Sequence, residues 1–220
     1  TWFARHGKVL NMAVSPRVEV QIEVFARDSR DQQITLCAEN YRACYAMVPG
    51  TPGWGQHPLL EAAIERMGVP DDVAVRVTVF SEAPGGASTG TSAAVCVALI
   101  GALDCLTPGR LTRHEVAYTA HSVEVDMLKQ QSGIQDQLCS AYGGISFINI
   151  PDYPQATVAA VQLAGEGWWE LEQRLVLIYL GRTHTSSEVH ELVVRRLEGA
   201  GPDSPYLEEL RRAASASRSA

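Results

Sequence analysis

Hydrophobic and polar residues alternate along several short segments of the chain, which is the period-two pattern of a β-strand with one buried face. The clearest example is Val73–Phe80, where a valine recurs at every second position. Apolar runs at Ile145–Ile150 and Leu175–Gly181 predict two further buried strands. Three segments near the start predict an antiparallel strand set: Val9–Val14, Arg17–Arg27 and Gln33–Cys37.

Helical patterns and helix end signals occupy much of the remaining sequence. The segment 92–106 is apolar nearly all round, so we expect this helix to be buried rather than to lie on a surface. The segment 112–127 opens on Thr-Arg-His-Glu, which has the spacing of a capping box. The tail from Ala213 to Ala220 contains only Ala, Ser and Arg, and we expect it to fray. The predicted helices cover about residues 57–67, 92–106, 112–127, 135–141 and 186–197.

The composition fits a globular protein with one sizeable core or with two small domains. The chain has 220 residues, of which 46% are hydrophobic and 20% charged. Together with the order of elements, this predicts an α+β fold of two layers, in which a mixed or antiparallel sheet is backed by helices. The net charge of −7 argues against nucleic acid as a partner, although it leaves room for a local basic pocket that binds one anionic ligand.

The cysteines and the hydropathy indicate the cellular compartment in which the protein is expected. The five cysteines are odd in number and scattered, so they indicate neither a disulfide framework nor a zinc site, and we expect reduced thiols in the cytoplasm. No apolar stretch is long enough to cross a bilayer, so we expect no membrane partner. The oligomeric state does not follow from the sequence.

A loop of glycines and hydroxyl residues joins the strand Val73–Phe80 to the apolar helix. Small residues let the backbone approach an anion closely, and the N–H groups and positive dipole end of the following helix would face it. An ordinary strand-to-helix turn is the alternative. The candidate phosphate-binding residues are Pro84, Gly85, Gly86, Ala87, Ser88, Thr89, Gly90, Thr91 and Ser92.

Two acidic residues, Glu124 and Asp136, lie twelve positions apart after this loop. Near a triphosphate, one carboxylate can hold Mg²⁺ and another can accept a proton from an attacking hydroxyl. Taken singly, Glu124 could be a solvated surface charge, and Asp136 could be a charge that favours a helix N-terminus. Their order after the loop favours the catalytic interpretation.

These clusters resemble the GHMP kinase superfamily, which comprises small-molecule kinases of galactose, homoserine, mevalonate and phosphomevalonate. The family loop typically reads Pro-x-x-x-Gly-Leu-Gly-Ser-Ser-Ala-Ala, and the residues that match it are Pro84, Gly90, Ser92, Ala93 and Ala94. Ser88, Thr89 and Thr91 depart from it. Gly133–Gln137 resembles the Gly-Ile-x-Asp-Gln segment of the sugar kinases in this superfamily.

The resemblance implies ATP and Mg²⁺ as cofactors, with Ser92 and Glu124 on Mg²⁺ and Asp136 as the catalytic base. Val9–Val14, with Gln135–Gln137 and Tyr142–Gly144, looks most like the heptose 7-phosphate kinases, and fucokinase-type domains come second. This implies transfer of the γ-phosphoryl group to the anomeric hydroxyl of a heptose 7-phosphate or a related sugar.

Two other readings stay open. The chain could be a degenerate, non-catalytic member that binds a sugar or a nucleotide. It could also be an isoprenoid-pathway kinase, which the Gly-Ile-x-Asp-Gln form disfavours.

The resemblance also predicts the domain organisation. Residues 1–158 would form the ATP-binding N-terminal domain, and residues 159–220 would form part of a ferredoxin-like C-terminal domain. Family members carry a sugar-binding turn upstream and a glycine-rich third motif downstream, and neither is among these residues. We therefore expect the sequence, which begins on Thr1, to be an incomplete kinase.

Overall fold

The structure, a computed structural model, describes residues 6–28, 32–51, 53–83, 89–106, 110–176, 178, 186–198, 201 and 203–219. The strands are β1 (Gly7–Met12), β2 (Val18–Ala26), β3 (Ile34–Ala38), β4 (Ala43–Met47), β5 (Val73–Ser81), β6 (Ile145–Asp152) and β7 (Gln155–Val161). The α-helices are α1 (Pro58–Met67), α2 (Thr91–Asp104), α3 (Arg113–Ser122), α4 (Gln135–Tyr142), α5 (Gly165–Arg174), α6 (Ser186–Glu198) and α7 (Pro205–Ser219). The predicted α+β class is confirmed.

Two sheets organise the strands that the structure describes. One sheet has the order β1-β6-β7 and is antiparallel throughout. The other has the order β2-β5-β3-β4, in which β5 runs antiparallel to β2 and parallel to β3. β5 lies between β2 and β3, and Val75, Val77 and Val79 are buried on one of its faces, as the alternation predicts.

Helix α2 lies at the centre of the core. Its buried positions include Leu99 and Ile100, and they pack with Leu36 of β3 and Val77 of β5 in one cluster. A helix that is apolar nearly all round must be covered on several sides, and α2 contacts α1, α3, α4 and β2. The position of α2 fixes where its N-terminus emerges.

The predicted pairing of the early strands is wrong. β1, β2 and β3 form close to where the alternation predicts them, but they do not pair with one another. β1 pairs with β6, whereas β2 and β3 lie on either side of β5. A period-two pattern specifies which face of a strand is buried but not which strand lies beside it.

Cys37 and Cys44 correct a second expectation. These residues lie directly opposite each other on β3 and β4 and form a disulfide, although reduced thiols are expected from the sequence. Cys96 and Cys139 are free and buried, and Cys105 is free and exposed. The spacing of seven residues carries no known disulfide signal, and only the register of the two strands brings the thiols together.

The C-terminal segment differs from expectation in two places. The predicted buried strand Leu175–Gly181 is absent at its described residues, because Leu175, Val176 and Ile178 are exposed and in no strand. An apolar run forms a strand only beside a neighbour that completes its hydrogen bonds, and no described strand pairs with it. The tail does not fray, since α7 runs to Ser219 and packs against β1.

The domain division at residues 158 and 159 stays a prediction, and β7 spans that position. No helix within the described ranges combines the length and the hydropathy needed to cross a membrane.

We predict that Leu99→Ala destabilises the protein by about 2–5 kcal/mol, because it removes a fully buried side chain from the centre of the core. Urea denaturation followed by circular dichroism measures the change. Leu192→Ala is the matched control, since Leu192 is 67% exposed and its truncation should shift the free energy of unfolding by less than about 0.5 kcal/mol. Equal effects of the two substitutions would contradict the central position of α2.

Candidate functional site

The N-terminus of α2 forms one side of the candidate site. Gly90 precedes the helix with φ of +70°, a left-handed conformation that glycine adopts without strain. Ser92 is exposed in the first turn, where backbone N–H groups have no partner within the helix. Of the nine predicted phosphate-binding residues, Thr89, Gly90, Thr91 and Ser92 are described. Pro84, Gly85, Gly86, Ala87 and Ser88 lie outside the described residues.

Asp136 lies against this helix start. It belongs to the first turn of α4, and its Cγ atom would be 3.4 Å from a Cβ atom built on Gly90. The carboxylate therefore packs against the backbone of Gly90, where the positive end of the α2 dipole favours a negative charge. Asn11 of β1 donates from its Nδ2 atom to the Gln135 carbonyl at 3.2 Å, which ties the start of α4 to the three-stranded sheet.

Glu124 reaches the site from a π-helical turn. The capping box predicted at Thr112 and Glu115 is present and begins α3, but regular helix ends at Ser122. Val123–Met127 then forms a π-turn, a feature that often marks functional sites in helices. Glu124 is only 4% exposed, whereas Asp126 on the same turn is exposed. The interpretation of Glu124 as a solvated surface charge is thus excluded.

The two carboxylate oxygens of Glu124 differ in their surroundings. Oε2 accepts hydrogen bonds from Ser132 Oγ at 2.6 Å and from Gln137 Nε2 at 2.8 Å. Gln137 Nε2 also donates to Ser132 Oγ at 3.2 Å, so the three side chains form a closed triangle. Oε1 is buried and has no hydrogen-bond partner among the residues that the structure describes.

Charge interactions link Glu124 to α4, which carries Asp136, and to α2, which carries Cys96. Burial raises the pKa of the Glu124 carboxyl above its ordinary value and the charge of Asp136 raises it further, while hydrogen bonds from Ser132 and Gln137 oppose the rise. Burial also raises the pKa of the Cys96 thiol on α2, and the charge of Glu124 adds to that rise. Ser92 lies one helical turn before Cys96 on the same face of α2.

The structure thus gathers three of the sequence-predicted features. The helix start at Gly90 contacts Asp136, and the charge of Glu124 acts on Asp136 and on the neighbouring turn of α2. Within the described ranges, no group of three or more His, Cys, Asp or Glu side chains could hold a metal. A cation here would need oxygen ligands from hydroxyl groups or from a phosphate as well.

Sequence reasoning assigned no role to Ser132, Gln137 or His121 and did not single out Tyr153. Gln137 ends the Gly133–Gln137 segment that resembles the sugar kinases, and Ser132 directly precedes that segment, but the sequence does not indicate that either side chain bonds to Glu124. Tyr153 and His121 meet Ser132 through contacts between distant parts of the chain, for which the sequence contains no local signal.

Comparison with known proteins agrees with this geometry. The GHMP kinases N terminal domain matches residues 58–144. The mevalonate kinase of Pyrococcus horikoshii is 33% identical over 126 residues, which are 57% of this chain and 34% of that protein. The D-glycero-alpha-D-manno-heptose 7-phosphate kinase of Campylobacter jejuni is 27% identical over 112 residues, which are 51% of this chain and 33% of that protein. The chain therefore spans about a third of the length of these relatives.

Solved structures share the fold. A putative sugar kinase from Campylobacter jejuni superposes with a TM-score of 0.64 at 18% identity, covering 96% of this chain and 71% of its own. The family match runs from α1 through α4 and includes Gly90, Glu124 and Asp136. The match of residues 58–144 to the GHMP kinases N terminal domain and the fold shared with this solved structure agree with the arrangement around α2.

Proposed function

We propose that this protein is an ATP-dependent sugar kinase that transfers the γ-phosphoryl group to a hydroxyl, the anomeric one, of a heptose 7-phosphate or a related sugar. The observation that supports this most is the packing of the Asp136 carboxylate against Gly90 at the start of α2, with the charge of Asp136 also acting on the buried Glu124. The arrangement combines an anion-binding helix end with two carboxylates, as phosphoryl transfer to a hydroxyl requires.

ATP would bind with its phosphates at residues 84–92 and at the N-terminus of α2. The described part of this segment offers first-turn N–H groups and the positive end of a fourteen-residue helix. Helix α2 is anchored in the core, so these donors hold their orientation before a nucleotide arrives. Fixed donors of this kind contribute to catalysis because they need no reorganisation during the reaction.

Ser92 and Glu124 would hold Mg²⁺. The donor set fits, because a hydroxyl and a carboxylate are oxygen ligands and because Glu124 Oε1 is a buried acceptor for which no described residue supplies a partner. When bound, Mg²⁺ neutralises phosphate charge that develops during transfer. The raised pKa of Glu124 reflects the cost of burying its charge, which a cation would offset.

Asp136 would accept the proton of the sugar hydroxyl as that oxygen attacks phosphorus. The residue is half-buried beside the helix end where the phosphates would lie. The charge of Asp136 raises the pKa of the Glu124 carboxyl, so the candidate proton acceptor and the candidate metal ligand interact electrostatically. Most of the rate would come from positioning and from charge neutralisation, because a loose transition state asks little covalent chemistry of the protein.

A mevalonate-type acceptor is the second candidate. It is favoured by the 33% identity to the mevalonate kinase of Pyrococcus horikoshii, which exceeds the 27% identity to the heptose 7-phosphate kinase. The Gly133–Gln137 segment favours the sugar instead. Release of ADP by the full-length gene product with ATP and Mg²⁺ separates the two, with heptose phosphates, fucose, galactose and mevalonate offered in turn.

We expect ADP release that depends on a heptose phosphate. Turnover with mevalonate alone would assign the second candidate. Nucleotide binding without turnover on any acceptor would favour the non-catalytic interpretation and overturn the proposal.

Asp136→Asn should lower turnover at least about a hundredfold, because the amide cannot accept the proton of the attacking hydroxyl. Nucleotide affinity should stay unchanged, since the shape of the side chain is kept. Steady-state kinetics and equilibrium binding of ADP measure the two effects. Asp126→Asn is the control, because Asp126 is an exposed carboxylate on the neighbouring π-turn and its loss should leave turnover intact. Near-normal turnover of Asp136→Asn would exclude the residue as base.

Glu124→Gln should raise the Mg²⁺ concentration needed for half-maximal turnover by at least about tenfold, since it replaces a charged metal ligand with a neutral one. The protein should still fold, because the amide oxygen of glutamine can accept the hydrogen bonds of Ser132 and Gln137. A Mg²⁺ titration at saturating ATP gives the answer, and Asp126→Asn again serves as control. An unchanged titration would remove Glu124 from the metal site.

A further inference from the structure

The hydroxyl of Tyr153 joins two parts of the chain beside the candidate metal ligand. Tyr153 lies in the turn between β6 and β7, and its hydroxyl donates to the Ser132 carbonyl at 2.8 Å. The same oxygen lies 2.6 Å from His121 Nε2 on α3. A phenol has one proton, which the Ser132 carbonyl receives, so the imidazole must donate from Nε2.

Ser132 continues this connection to Glu124. Its hydroxyl donates to Glu124 Oε2, which also accepts a hydrogen bond from Gln137. His121, Tyr153, Ser132 and Glu124 therefore form a hydrogen-bond chain from α3 through the β6–β7 turn to the π-turn. Each link after His121 has its donor defined, and the rings of His121 and Tyr153 also meet edge to face, with centroids 5.5 Å apart. These hydrogen bonds hold the Glu124 carboxylate in one orientation, in which Oε2 accepts two hydrogen bonds and Oε1 accepts none from the described residues.

Burial stabilises this orientation of the Glu124 carboxylate. His121 and Glu124 are both buried, and Tyr153 is half-buried. If Ser132 moved away, Glu124 Oε2 would lose its shortest hydrogen bond inside the protein, where water cannot readily replace it. The backbone of Ser132 is not part of a helix or strand, so the Tyr153 hydroxyl supplies an anchor that regular structure does not.

We propose that Tyr153 and His121 are positioning residues for Glu124, and that they act through Ser132 to keep Oε1 of Glu124 directed to a divalent cation. The proposal rests on the metal-binding role given to Glu124 above. Outer residues of this kind are worth about 10–100-fold in metal affinity at known metal sites. Neither residue touches the nucleotide or the sugar in this account.

Tyr153→Phe tests the proposal, because it removes the hydroxyl and both of its hydrogen bonds while keeping the ring. The structure offers a closely matched control in Tyr118→Phe. The Tyr118 hydroxyl also makes two hydrogen bonds, donating to the carbonyl of Pro154 in the same turn and accepting from the N–H of Ala156 near the start of β7, each at 2.8 Å. Neither of these hydrogen-bond partners is Ser132, so the two variants should lose similar stability while only Tyr153→Phe disturbs Glu124.

The measurement is binding of Mn²⁺ to the full-length gene product in the presence of saturating ADP, followed by the electron paramagnetic resonance of free Mn²⁺. We expect Tyr153→Phe to weaken Mn²⁺ binding about tenfold and Tyr118→Phe to leave it unchanged. ADP affinity without metal should be the same in both variants. If Tyr153→Phe does not fold, Ser132→Ala cuts the chain one link closer to Glu124, and the same loss is expected.

Equal Mn²⁺ affinities in Tyr153→Phe and the wild-type protein would overturn the proposal, as would an equal loss in both tyrosine variants. Glu124→Gln, measured alongside, separates this failure from failure of the proposed metal site. If Glu124→Gln weakens Mn²⁺ binding and Tyr153→Phe does not, Glu124 is a ligand that needs no such positioning. If neither variant changes Mn²⁺ binding, the metal-binding role of Glu124 itself is wrong.

Discussion

The buried carboxylate of Glu124 is the constraint around which the site is arranged. Removing an ionised group from water costs several kcal/mol unless hydrogen bonds or an opposite charge compensate. Here Ser132 and Gln137 satisfy one oxygen, and nothing in the described part of the chain satisfies the other. The raised pKa of Glu124 expresses that incomplete compensation. A cation that brings the missing charge is the simplest reason for a fold to retain such a group.

The core places the other components around this carboxylate. Helix α2 is covered on several sides by apolar contacts, which fixes the point where Gly90 and the first-turn N–H groups emerge. Asp136 reaches that point from α4, whose start is held to β1 through Asn11. The phosphate end of a nucleotide and the proton acceptor would thus be positioned by different elements that share one core. The packing of the core therefore determines where the components of the candidate site lie.

Sequence reasoning predicts the parts of this structure that local patterns determine. The capping box at Thr112, the buried helix α2 and the strand β5 follow from periodicity and end signals. The pairing of β1 with β6, the disulfide between Cys37 and Cys44 and the link from Tyr153 to Ser132 do not, because each depends on which distant segments become neighbours. The exposed run that begins at Leu175 is the opposite case. Its apolar composition is typical of a strand, but its described residues form none because no described strand pairs with them.

The most direct test is a crystal structure of the full-length gene product with Mg²⁺ and a non-hydrolysable ATP analogue. The proposed site predicts Mg²⁺ bound to Glu124 Oε1, with Ser132 and Gln137 still donating to Oε2 and the phosphates at the start of α2. A metal bound elsewhere, with Glu124 Oε1 still lacking a ligand, would contradict it.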